Sequence, residues 1–147
     1  MSYGMFRVGW KLGKGPGDGT GWGPWCADHL SITAQARMMG QADPVGLFWV
    51  EVKPWQVWST VTPNLIEQCD VEDPPNSPEA AVRSACLWNL GMDGGAWFYG
   101  GVATIGVEAP TGERWTCTAT LVNSRERITL TPMIPLPAAP TETPCPV

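Results

Sequence analysis

Glu113-Arg114-Trp115-Thr116-Cys117-Thr118-Ala119-Thr120-Leu121-Val122 alternates without a break. Trp115, Cys117, Ala119 and Leu121 fall on one side, and Arg114, Thr116, Thr118 and Thr120 on the other. A period of two is the pleat of a β-strand, and one apolar side against one polar side marks a strand half-buried in an antiparallel sheet. The turn Pro110-Thr111-Gly112 precedes this stretch and Asn123-Ser124 follows it, so 97–109, 113–122 and 126–131 read as a β-meander.

Working towards the N-terminus, 5–10 alternate loosely and predict a first strand. Residues 46–53 and 55–62 are two more, with Pro54 marking a break or an edge between them. In 30–38, Leu30, Ile32, Ala34, Ala36 and Met38 alternate with Ser31, Thr33, Gln35 and Arg37, which predicts a strand. A helix capped by Asp28 and ending at Gly40 is the alternative there.

The clear helix is 78–90. Ser77 suits the N-cap, Pro78 the first helical position and Gly91 the stop. Glu79 and Arg83 can pair one turn apart. Ala81, Val82, Ala85, Cys86 and Trp88 form a wide apolar stripe, with Leu87 and Leu90 near its polar side, so this helix should pack on more than one face.

Two segments resist regular structure. Gly13, Gly15, Gly17, Gly19, Gly21 and Gly23 recur at every second position, interrupted by Pro16 and ended by Pro24, which predicts a loop over 13–24. Pro132, Pro135, Pro137, Pro140, Pro144 and Pro146 make 132–147 an extended arm, neither sheet nor helix. A loop is also expected from Pro63 to Asn76. The fold class is mainly β (α+β): an antiparallel β-sandwich or barrel of about seven strands with one helix, in a single domain over 1–131 followed by the arm.

Composition bounds the partners. Charged residues make up 16% of the 147, below the about 25% of an ordinary soluble domain, so some apparently exposed surface should be covered by a partner. The net charge of −5 speaks against nucleic acid or an anionic membrane as main target. No apolar run has the length of a membrane span, and Met1–Arg7 shows no basic stretch leading into an apolar segment, so no export signal is expected. Five cysteines, 26, 69, 86, 117 and 145, contain no CxxC pair and read as free thiols in a reducing compartment, with a bridge among Cys26, Cys69 and Cys145 left open.

Chemistry-bearing constellations are sparse. His29 is the single histidine, with Cys26 and Asp28 beside it, and a small enzyme using Cys26 and His29 is one reading. A Cys26/His29 zinc half-site lacks paired spacing. The glycine run fits neither GxxxxGK[ST] nor GxGxxG in a βαβ setting. Glu67, Asp70, Glu72, Asp73 and Glu79 form an acidic segment without calcium-loop spacing, with no basic residue from Trp55 through Val82. No metal or cofactor is expected.

The nine tryptophans are the strongest signal. Trp115 points with the core set. Trp49 shares a strand face with Glu51 and Lys53, and Trp58 with Gln56, Thr60 and Thr62, so both are candidate contact residues, as are Trp22 and Trp25 of the glycine loop. Arg7, Lys11 and Lys14 precede any acid, whereas Asp70, Glu72 and Asp73 fall in the acidic stretch; opposite charge on separated segments is suited to docking between neighbours. The expectation is a non-enzymatic structural subunit of a large assembly, a virion component of a bacteriophage head or tail being the natural setting. Its partners would be other protein subunits, alike or different, and its location the virion or cytoplasm. The rival readings are an aromatic platform for glycans on Trp49, Trp58 and Trp97, and the Cys26/His29 enzyme.

Overall fold

A computed structural model describes residues 3–12, 19–61, 64–122 and 127–137. The described residues belong to two compact units, Tyr3–Lys53 and Pro54–Pro140. The described residues are mainly β, built from antiparallel sheets of three and six strands with two helices, as the α+β class requires.

In the first unit, β1 (Phe6–Lys11), β2 (Thr20–Trp22) and β3 (Leu47–Val52) form a sheet of order β2-β1-β3, and α1 (His29–Ala42) joins β2 to β3. The β1–β3 register runs from Phe6 opposite Val52 to Lys11 opposite Leu47. Val8, Cys26 and Ile32 are buried together, with Phe6, Trp10, Ala36, Met39 and Val50 packed on them. Ile32, Ala36 and Met39 recur at four and three residues, the spacing of one helical face.

This helix replaces the strand predicted for 30–38. The two-residue alternation there is overruled by the Asp28 cap, whose carboxylate accepts the Ser31 N–H at 3.2 Å and the Ser31 hydroxyl at 2.9 Å. Alanines, glutamines and methionines, all good helix formers, carry the rest to Ala42, two residues past Gly40. The glycine run also divides. Thr20–Trp22, expected as loop, is an edge strand, while 13–18, including Lys14, lies outside the described residues.

The second unit contains β4 (Gln56–Ser59), β5 (Ile66–Gln68), α2 (Pro78–Met92), β6 (Val102–Glu108), β7 (Arg114–Val122), β8 (Arg127–Leu130) and β9 (Ile134–Leu136). The sheet order is β5-β4-β6-β7-β8, with β9 also paired to β7. Gly112, at φ 94°, closes the β6–β7 turn by donating its N–H to the Ala109 carbonyl at 2.9 Å, a backbone conformation that disfavours a side chain. The side of the sheet carrying Val57, Ala103, Ile105, Val107, Cys117, Ala119 and Ile128 is buried, as are Ala81, Val82, Ala85 and Cys86 of α2. Arg83 anchors the helix by donating to the Ile128 carbonyl at 2.6 Å.

Two expectations are corrected here. β5 lies in the stretch read as loop; three residues are too short to show a period. Part of the proline arm is a strand, because β9 extends the line of β8 along β7 after one extra residue: Thr131 pairs with Thr118, but Ile134 with Thr116. Pro135 sits opposite Trp115, between the hydrogen-bonding positions, so its missing N–H breaks no ladder bond. Residues 138–147, with Cys145, lie outside the described residues.

One device recurs in both sheets. Gly9 pairs with Trp49, Gly21 with Trp10 and Gly106 with Trp58, each directly across neighbouring strands. In each pair the indole occupies the space a side chain would take. A Cβ at Gly21 would lie 2.7 Å from Trp10 Cε2, one at Gly106 2.5 Å from Trp58 Cε2, and one at Gly9 would run into Trp49 Nε1. A relaxed carbon contact needs about 3.5–4.0 Å. Glycine weakens a strand, and the facing indole restores the lost packing.

Gly106→Ala is therefore expected to destabilise the protein by about 1–3 kcal/mol in denaturant unfolding, the usual range for overpacking. In a Trp58→Leu background the same substitution should cost much less, which a double-mutant cycle measures.

Candidate functional site

Strand alternation sends Arg7, Gly9 and Lys11 of β1 to the side of the sheet opposite Val8 and the α1 core, together with Trp22 of β2 and Leu47, Trp49 and Glu51 of β3. Trp22, Gly9 and Trp49 stand in one cross-strand row. With no side chain at Gly9, the Trp49 ring lies across the row, yet Trp49 remains 37% exposed and Trp22 51% exposed.

Glu51 organises this face. Its carboxylate accepts hydrogen bonds from Arg7 Nε at 2.7 Å, Trp22 Nε1 at 2.9 Å and Trp49 Nε1 at 3.2 Å. Partial burial opposes ionisation of Glu51, but the bonds from Arg7, Trp49 and Trp22 outweigh it and hold the carboxyl below its usual range. The Arg7 guanidinium lies over Trp25 at 4.2 Å and over Trp22 at 5.3 Å, and the Lys53 ammonium over Trp25 at 5.7 Å. Cations over indole faces are attracted by the ring quadrupole. The result is a pre-ordered layer of rings and cations on an open sheet face.

The candidates expected from the sequence thus separate. Trp22, Trp25, Trp49 and Arg7 are brought together, and Lys11 stands on the same strand face as Arg7. Trp58 belongs to the other unit, its indole laid over Gly106. Asp70, Glu72 and Asp73 are exposed residues of the second unit after β5, where Asp70 accepts the Glu72 N–H at 2.8 Å. Gly9 and Glu51 were not singled out. Their signal was the strand register, which places a ring-sized gap and an acceptor beside the indoles.

The rival sites fare differently. Cys26 is wholly buried and disulfide-bonded, which corrects the free-thiol reading for this residue and removes it as a nucleophile. His29 is exposed at the start of α1, its ring 4.5 Å from that of Phe6. Cys69, Cys86 and Cys117 are free and buried, with burial the leading cause that pushes their thiols up to about 11, 12 and 11. Such thiols are inert at neutral pH. Trp97 is 1% exposed, so it offers no platform to a sugar. Among the described residues no group of three or more His, Cys, Asp or Glu side chains could hold a metal ion. No helix there is long and apolar enough to cross a membrane.

The second unit has a cleft of about 640 Å³ between β5 and α2, lined by Glu67, Gln68, Cys69, Asp70, Ser84, Ala85, Leu87 and Trp88. Glu67 pairs with Val57, so it projects from the buried side of the sheet. Burial, followed by the hydrogen bond and charge of the Asp93 carboxyl, raises the Glu67 pKa to about 7. No family model matches the chain, and no curated protein or solved structure is significantly similar to it.

Folded Glu67 holds its proton to about 7, whereas an unfolded glutamate releases it near 4.5. The folded state therefore binds more protons between these values, and stability falls as pH rises through that window. Glu67→Gln should remove this slope: its thermal midpoint is expected to match wild type below pH 4.5 and to exceed it increasingly up to pH 7.

Proposed function

We propose that this protein is a non-enzymatic structural subunit of a large protein assembly, docking on neighbouring subunits through the Trp22–Arg7–Trp25 layer and Trp49. The observation that carries the reading is the Glu51 carboxylate, which fixes Arg7, Trp22 and Trp49 in place while leaving both of those indoles open to solvent. Tryptophan and arginine are the side chains most enriched at the energetic centres of interfaces. Rings already held by hydrogen bonds lose little rotamer freedom on binding, so more of the contact energy appears as affinity.

Further support comes from other exposed apolar side chains: Leu30, Met38, Val45 and Leu47 in the first unit, and Ile66, Trp88, Met92 and Tyr99 in the second. A chain with so few charges solvates such surface poorly. A virion, as a bacteriophage head or tail component, is the setting proposed, where permanent neighbours would cover these side chains. Trp22 and Trp49 also leave one rival occupant for the same face, the apolar side of a sugar ring.

The test is the mass of the purified protein, alone and in its native particle, by light scattering. Trp22→Ala or Trp49→Ala alone should each weaken association by roughly 30-fold, since an interface anchor is typically worth at least about 2 kcal/mol. A far-UV spectrum unchanged from wild type would show that the fold survives. A monodisperse monomer that joins no native particle overturns the reading, and a shift in tryptophan fluorescence with a glycan panel would favour the sugar.

A further inference from the structure

The edges of the two sheets are not alike. β2 and β5 have three residues each, β8 four, and β9 three with a proline at its centre. Short strands and prolines are the usual protections against edge-to-edge pairing. β3 has six residues, Leu47-Phe48-Trp49-Val50-Glu51-Val52, with no lysine or proline among them and high β-propensity at Phe48, Trp49, Val50 and Val52.

The hydrogen-bond parity shows which of its backbone groups are open. Lys53 N–H donates to the Met5 carbonyl at 2.9 Å, and Gly23 N–H to the Val8 carbonyl at 2.8 Å. In an antiparallel ladder such pairs alternate, so 47, 49, 51 and 53 bond to β1. Phe48, Val50 and Val52 direct their N–H and C=O groups to the outer edge, and no strand among the described residues pairs with them there. Buried backbone groups left unpaired are rare, whereas an open row of them is a template for another strand.

We propose that β3 pairs antiparallel with β3 of a second copy of this chain, about a twofold axis through Val50, joining two three-stranded sheets into one of six. The inference rests on the structural-subunit reading and names its partner. Three features favour a copy of this strand in this register. Val50 then meets Val50 and Phe48 meets Val52 of the copy, so every open backbone position and every apolar side chain on that face is matched. Trp49 falls opposite Glu51 of the copy, repeating across the axis a pairing of indole and carboxylate that the chain already makes. A shift of the axis to Glu51 would set the two glutamates face to face, and like charges directly opposite are unfavourable. Glu51 is also neutralised within its own sheet by Arg7, so the edge carries no bare charge.

The experiment is sedimentation of the full chain over a concentration series, with amide hydrogen exchange as readout of the edge. Wild type should form a dimer in which the Phe48, Val50 and Val52 amides gain protection together as concentration rises. Val50→Pro removes an outward N–H while sparing the ladder to β1, and should give a folded monomer. Should that variant fail to fold, a charge pair at the strand end decides. Leu47 falls opposite Lys53 of the copy, so Leu47→Lys should weaken the dimer by about tenfold or more while Leu47→Glu leaves it intact or tighter. A protein that stays monomeric at all concentrations overturns the pairing, as does a dimer indifferent to Val50→Pro and to both Leu47 variants. If association is lost only with Trp22→Ala, the pairing is wrong and the structural-subunit reading stands. If association is lost with Val50→Pro and not with Trp22→Ala, the pairing stands and the aromatic face is not the docking surface.

Discussion

An indole lying flat on a cross-strand glycine is the contact on which both sheets depend. At Gly9–Trp49, Gly21–Trp10 and Gly106–Trp58 the smallest residue and the largest share one site in the pleat. Glycine alone would leave an entropic deficit and a hole, and tryptophan alone would need a gap that an ordinary neighbour cannot give. Together they let the ring occupy the space that the glycine leaves. The arrangement gives three of the nine tryptophans and three of the seventeen glycines a shared structural role.

The same contact sets what the first unit shows to solvent. Because Gly9 yields, Trp49 can lie across β1 and still present its N–H to Glu51, where Trp22 of β2 and Arg7 of β1 converge. Attraction between Arg7 and its two rings then keeps the layer in register. Surface ion pairs contribute little by themselves. Here the Arg7–Glu51 pair acts through what it orients, and the orientation is what a docking surface requires.

Much of this was legible in the sequence. The strict alternation of 113–122 marked β7, Ser77 and Pro78 marked the start of α2, and the parity of Trp49, Glu51 and Lys53 already placed them on one face. What could not be read was pairing. No local pattern tells that Gly9 faces Trp49, or that Gly21, in a run that looks like pure loop, is covered by Trp10. Residues 30–38 favoured a strand because their apolar residues recur at even spacing, and the Asp28-capped helix, the alternative reading there, is the one that forms because the cap outweighs that alternation. β9 was missed because prolines usually exclude a strand, and Pro135 escapes the rule only by its place between ladder bonds. Cys26 differs from the other buried cysteines by a bond that spacing alone left open.

Two rings, a guanidinium and one carboxylate that all satisfy each other form a unit without independent parts. Drift at residue 51 would leave two indole N–H groups and an arginine looking for other acceptors, and drift at residue 9 would evict the ring that makes room for the rest. Such a patch can be inherited whole or lost whole, but it is poorly placed to change by single steps, so its descendants should keep Arg7, Gly9, Trp22, Trp49 and Glu51 as a block or have none of them.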